Sequence, residues 1–95
     1  MIRVTIPVEQ GNAAVMDGSL RSVIEAFMAE HKPEAAYFLA EAGHRTAYFF
    51  TSMTDVAQIP VIAEPFFRGL NAKVDILPAM NAEDLVRGLA SMKGA

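Results

Sequence analysis

The sequence predicts one small α+β domain spanning residues 1–95, with an antiparallel sheet built in the order βαββαβ and a further helix at its C-terminal end. Three observations predict it. Ile2, Val4, Ile6 and Val8 alternate with Arg3, Thr5 and Pro7, the period of a strand with one buried face. Residues 12–32 and 60–70 carry apolar side chains at spacings of three and four, the period of an amphipathic helix. Between them, two aromatic-rich runs flank Gly43, which is the pattern of a hairpin.

The elements follow in order. Pro7 has no N–H to give a ladder, so it belongs at the end or edge of the first strand. Residues 9–12 then break the alternation. Met16, Leu20, Val23, Ile24, Phe27 and Met28 form the apolar stripe of the first helix. Asn12 is one candidate N-cap, and Asp17, ahead of Gly18 and Ser19, is a competing start. Pro33 ends this helix, because the residue before a proline avoids the α region.

Residues 35–41 and 46–51 read as strands joined by the loop Ala42-Gly43-His44. Alternation sets Tyr37 and Leu39 against Ala36, Phe38 and Ala40, and sets Phe49 against Tyr48 and Phe50. Both faces of the hairpin are therefore apolar, which in an antiparallel sheet calls for a cover on both sides. Which set meets the helices stays open, since one bulge would exchange the faces.

Thr54 or Asp55 caps a short turn over 56–59, and a helix runs from Pro60 to Leu70, where Gly69 or Asn71 ends it in a left-handed conformation. Residues 72–77 form the last strand, stopped by Pro78. Asn81 caps the final helix, with Glu83 and Asp84 in its first turn and Leu85, Val86, Leu89 and Met92 on its apolar side.

Composition narrows the function classes. Hydrophobic residues make up 53% of the chain, above the usual share of about 45–50%. A chain this short hides only part of its apolar surface, so a partner sheet of the same kind, and hence a homodimer, is expected. The net charge is −3 and the eight Lys and Arg are scattered, which argues against nucleic acid as a partner. There is no cysteine, so neither a disulfide frame nor thiolate chemistry is available, and a cytoplasmic location is expected. The N-terminal residues have no signal-peptide layout, and no apolar run approaches the ~20 residues that span a bilayer, so no membrane partner is expected.

Candidate ligand-binding residues are Tyr37 and Tyr48 on the neighbouring strands, His44 and Arg45 at the hairpin tip, and Glu64 within the apolar run Ile62-Ala63-Glu64-Pro65-Phe66-Phe67. A phenol in a cavity would suit a small apolar or aromatic molecule, and His44 with Arg45 would suit an anion. Glu41, Glu64 and Asp55 are the carboxylates nearest the sheet ends, and Glu64, desolvated, would gain acid–base character. Arg68, Arg21 and Arg87 each follow an acidic residue by four, as exposed helix pairs do. His31 suits a helix C-terminus, and the two histidines lack the spacing of a helical metal pair. No metal or cofactor is expected, because phosphate-loop and zinc-ligand spacings are missing.

The stretches 32–38, 59–67 and 78–85 resemble those of small bacterial proteins in the dimeric α+β barrel superfamily. The resemblance implies a ferredoxin-like subunit that packs its sheet on that of a second copy. It implies a homodimeric domain that binds a small ligand or has a structural role. The rival it suggests is a cofactor-independent monooxygenase or isomerase acting on a small aromatic substrate, although the chain has no Trp, which some such enzymes use in the cavity. Fold likeness alone carries no chemistry.

Overall fold

The computed structural model describes residues 1–92. The elements are β1 (Ile2–Ile6), α1 (Val8–Asp17), α2 (Ser19–His31), β2 (Ala35–Glu41), β3 (His44–Phe50), α3 (Gln58–Leu70), β4 (Lys73–Ile76) and α4 (Ala82–Ala90). The strands form one antiparallel sheet in the order β2-β3-β1-β4, an α+β arrangement compatible with a ferredoxin-like fold.

The register decides which face is inside. Ile2 lies opposite Phe49 and Ile76, and Val4 opposite Ala47 and Val74, so these side chains share one face. That face meets Ala14 of α1, Phe27 of α2, and Ile62, Phe66 and Leu70 of α3 in one buried cluster. Phe27 stands 4.4 Å from Phe49 and 5.3 Å from Phe66 between ring centroids. Phe49 and Phe38 therefore belong to the helix side, and Tyr37, Leu39, Tyr48 and Phe50 to the other. The separation of the two sets predicted by alternation holds, and the open question of which set faces the helices is answered.

Three expectations are corrected. The first helix is two helices, and it starts at Val8, before the expected break at 9–12. Gly11 packs where a Cβ would stand 2.8 Å from the Arg45 guanidinium and 3.3 Å from Ile6, so it permits close approach and does not break the helix. Asn12 is not a cap; its Oδ1 accepts from Arg45 Nη1 at 3.0 Å. The competing start at 17–19 marks where α2 begins, but its N-cap is Gly18 at φ 82; Asp17 ends α1, and its Oδ1 accepts from the Ser19 amide at 2.8 Å. Because the axis turns there, Met16 is exposed and outside the stripe.

The hairpin loop is shorter than expected. Ala42 (φ 52) and Gly43 (φ 79) make a two-residue turn with both central residues at positive φ, the type I′ turn that matches strand twist. His44 and Arg45 therefore belong to β3, not to the tip.

The final helix has the expected cap and an unexpected environment. Asn81 Oδ1 accepts from the Asp84 amide at 2.8 Å, and Asp84 Oδ2 accepts from the Asn81 amide at 3.2 Å, a reciprocal capping box. None of its residues is buried, and Leu85, Val86 and Leu89 are exposed.

Phe49 is fully buried, so Phe49→Ala should cost about 3–5 kcal/mol in urea denaturation. Asp84 is held below the usual carboxylate range by the Arg87 guanidinium and then by the Asn81 amide. The ionised form is the better acceptor, so its contribution is present above the unfolded carboxylate pKa and is lost as pH falls through the lower folded value. Amide exchange in α4 should accelerate on acidification through that range relative to α3, and Asp84→Ala should abolish the difference.

Candidate functional site

Three helices cover one face of the sheet, and the opposite face is open. Its side chains come from the alternate residues of each strand, so they stand in cross-strand rows. One row crosses all four strands: Tyr37 opposite Tyr48, Tyr48 opposite Arg3, and Arg3 opposite Asp75. The next row is Leu39, Thr46, Thr5 and Lys73.

The first row is linked by polar contacts. Arg3 Nε and Nη2 donate to Asp75 Oδ2 at 3.2 and 3.1 Å. The Tyr48 hydroxyl donates to Glu41 Oε1. Tyr48, and then Asp75, raise the Arg3 pKa above its ordinary value, so the guanidinium stays charged at any working pH. Thr46 is buried and its hydroxyl donates to the His44 carbonyl at 3.0 Å. Around this polar line stand Tyr37, 63% exposed, with Leu39 exposed and Phe50 half-buried. The face thus offers flat aromatic surface beside a fixed cation, a carboxylate and a phenol. That combination can stack a planar molecule and hold a polar substituent at its rim.

At one end of the sheet an open cleft of about 720 Å³ lies between the segment after β3 and the extended arm before α4. Glu34, Phe50, Ser52, Met80 and Asn81 line it. Phe50 lines the cleft and also belongs to the open face.

Tyr37 and Tyr48 are brought together as expected, as direct cross-strand neighbours. His44 and Arg45 are not. His44 shares the open face opposite Glu41, and its Nδ1 lies 3.1 Å from the Ala42 carbonyl oxygen. Arg45 stands on the helix side and donates to Asn12. Adjacent strand residues point to opposite faces, so this pair does not converge on one anion.

Glu64 stands apart on α3, half-exposed, with its Oε2 3.3 Å from Arg68 Nε. It takes no part in the open face or the cleft. Two expected helix pairs are also replaced: Arg21 pairs with Glu25 and Arg87 with Asp84, while Asp17 is taken up by the Ser19 amide. His31 stands in the last turn of α2, as expected, with its ring 4.8 Å from that of Phe27 and its Nε2 3.9 Å from Glu30 Oε2.

Arg3 and Asp75 were not singled out in the sequence. Each occupies a polar position in an alternating strand, but nothing local says that residues 72 apart meet. Among the described residues, no group of three His, Asp or Glu side chains is placed to hold a metal ion. No protein-family model matches the chain, and neither a curated protein nor a solved structure matches it significantly.

The Tyr48–Glu41 contact is only partly buried. Tyr48→Phe should therefore cost about 1 kcal/mol, and the same substitution in a Glu41→Gln background should cost less, because part of the loss belongs to the pair. Chemical denaturation of the four proteins in the cycle measures both.

Proposed function

We propose that this chain is a small-ligand-binding domain that works as a homodimer, with the open sheet face as the floor of the binding site and a second copy as its cover. The observation that carries the reading is the row Tyr37–Tyr48–Arg3–Asp75, an aromatic and charged line on a sheet face without helices. A sheet face that is half apolar in a chain with 53% hydrophobic residues is stabilised when it is removed from water. Stacking two ferredoxin-like sheets face to face, as in a dimeric α+β barrel, does this and leaves the polar row inside. The row then anchors a small, flat, apolar or aromatic ligand that carries one polar group.

The Tyr48–Glu41 contact favours an enzymatic variant of this reading. A phenol held by a carboxylate can pass a proton to or from a bound aromatic, which is the element an isomerase or a cofactor-independent monooxygenase would need.

Light scattering at micromolar concentration should give at least twice the monomer mass of 10.3 kDa. Tyr37→Asp, which puts a charge among the exposed aromatic surface of the face, should lower that mass while circular dichroism stays folded. Thermal-shift screening with small aromatic acids and phenols should raise the Tm of the parent and not that of Arg3→Met. An unchanged mass in Tyr37→Asp would sink the face-stacked dimer.

A further inference from the structure

β2 is an outer strand of the sheet; Ala36 packs at the margin of the core, and residues 37–40 are exposed on both faces. Tyr37 and Leu39 are exposed on the open side; Phe38, 58% exposed, and Ala40 are exposed on the helix side, since α1, α2 and α3 do not reach over this strand. The two outer strands of the sheet differ in kind. β4 has four residues, carries Lys73 and Asp75, and is followed two residues on by Pro78, which are the features that keep an edge from pairing. β2 has seven residues in unbroken register with β3, contains no proline, and carries its one charge, Glu41, at the end. An edge without those protections pairs with another strand.

We infer that β2 is a self-pairing edge: two copies of the chain join their β2 strands antiparallel about a two-fold axis at Phe38. The sequence Ala35-Ala36-Tyr37-Phe38-Leu39-Ala40-Glu41 is self-complementary about that point. Phe38 of each copy lies opposite Phe38 of the other, Tyr37 opposite Leu39, and Ala36 opposite Ala40. Every one of these pairs is apolar, and the alanines leave room beside the aromatic rings. The two-residue turn makes Glu41 and His44 a hydrogen-bonded pair, so alternation aims the amides of Ala36, Phe38 and Ala40 at the outer edge. Those three residues give about six interchain backbone hydrogen bonds. An isologous contact needs such internal symmetry, whereas an unrelated peptide strand does not, and this is why a second copy is the occupant.

The edge is a different surface from the open face. An axis through Phe38 runs perpendicular to the sheet and keeps the helices of both copies on one side. Combined with face stacking, whose axis lies parallel to the sheet, it closes a tetramer of two-fold symmetry.

The chain has no cysteine, so a single introduced thiol reports the contact cleanly. Across a hydrogen-bonded antiparallel pair the Cα atoms stand about 5.5 Å apart, within the span of a disulfide. Under mild oxidation Phe38→Cys should form covalent dimers at micromolar concentration, while Met16→Cys, on exposed α1 surface, should not. Phe38→Lys, which sets two ammonium groups against each other at the axis, should halve the mass measured by light scattering. If Phe38→Lys does not fold, Ala40→Pro removes an edge-facing amide and is read in the same way. A fall from tetramer to dimer supports both contacts; a fall from dimer to monomer supports the edge and counts against face stacking. If Phe38→Cys forms no more dimer than Met16→Cys and the mass of the edge variants equals that of the parent, the self-pairing edge is wrong, whatever the open face does.

Discussion

The packing of Phe27, Phe49 and Phe66 against the β1 side chains Ile2, Val4 and Ile6 is the constraint on which the rest of this structure depends. Strand side chains alternate with a period of two, so committing Ile2 and Phe49 to the helices commits Arg3 and Tyr48 to the far side. The core thus sets the composition of the open face without touching it. A slip of one residue between β1 and β3 would turn one of the two strands over, either burying Arg3 or exposing Phe49, and the cost of a buried unpaired charge or a lost aromatic core opposes both.

Three helices suffice to cover β1, β3 and β4, and their reach ends there. α1 comes close to the sheet because Gly11 has no Cβ, and it turns at Gly18 so that α2 can lay Phe27 on the aromatic cluster. The outcome is uneven coverage. Phe49 on β3 has no exposed surface, while Phe38 one strand further out is mostly bare, although their rings are only 5.8 Å apart. The apolar residues of β2 and of α4 are surface that this fold of a single chain does not use. Burial of such surface is the main favourable term in association, so the apolar residues left outside the core are the part of the high hydrophobic share on which the proposed assembly rests.

The open face combines this apolar surface with fixed charge. Arg3 on the central strand β1 and Asp75 on the outer strand β4 hold each other, and Tyr48 is held by Glu41 across the hairpin. Side chains fixed in this way have already lost conformational freedom, which is the physical property the proposed ligand site would draw on. The cleft at the sheet end shares Phe50 with the face.

Much of this was legible in the sequence alone. The bounds of β2, the alternating faces of the hairpin and the Asn81 cap were determined by neighbours within a few residues, where period, turn and cap chemistry act. The split at Gly18 was present as one of two starts. The tertiary structure alone decided that Gly11 is a contact and not a breaker, that the hairpin turns in two residues, and that Glu64 answers to Arg68. It also decided that Arg3 and Asp75, from strands far apart in the chain, continue the row begun by the hairpin pair Tyr37–Tyr48. Local signals fix what each residue does along its own element. Which elements become neighbours, and in what register, is settled by the burial of the aromatic core, an interaction no short window of sequence contains.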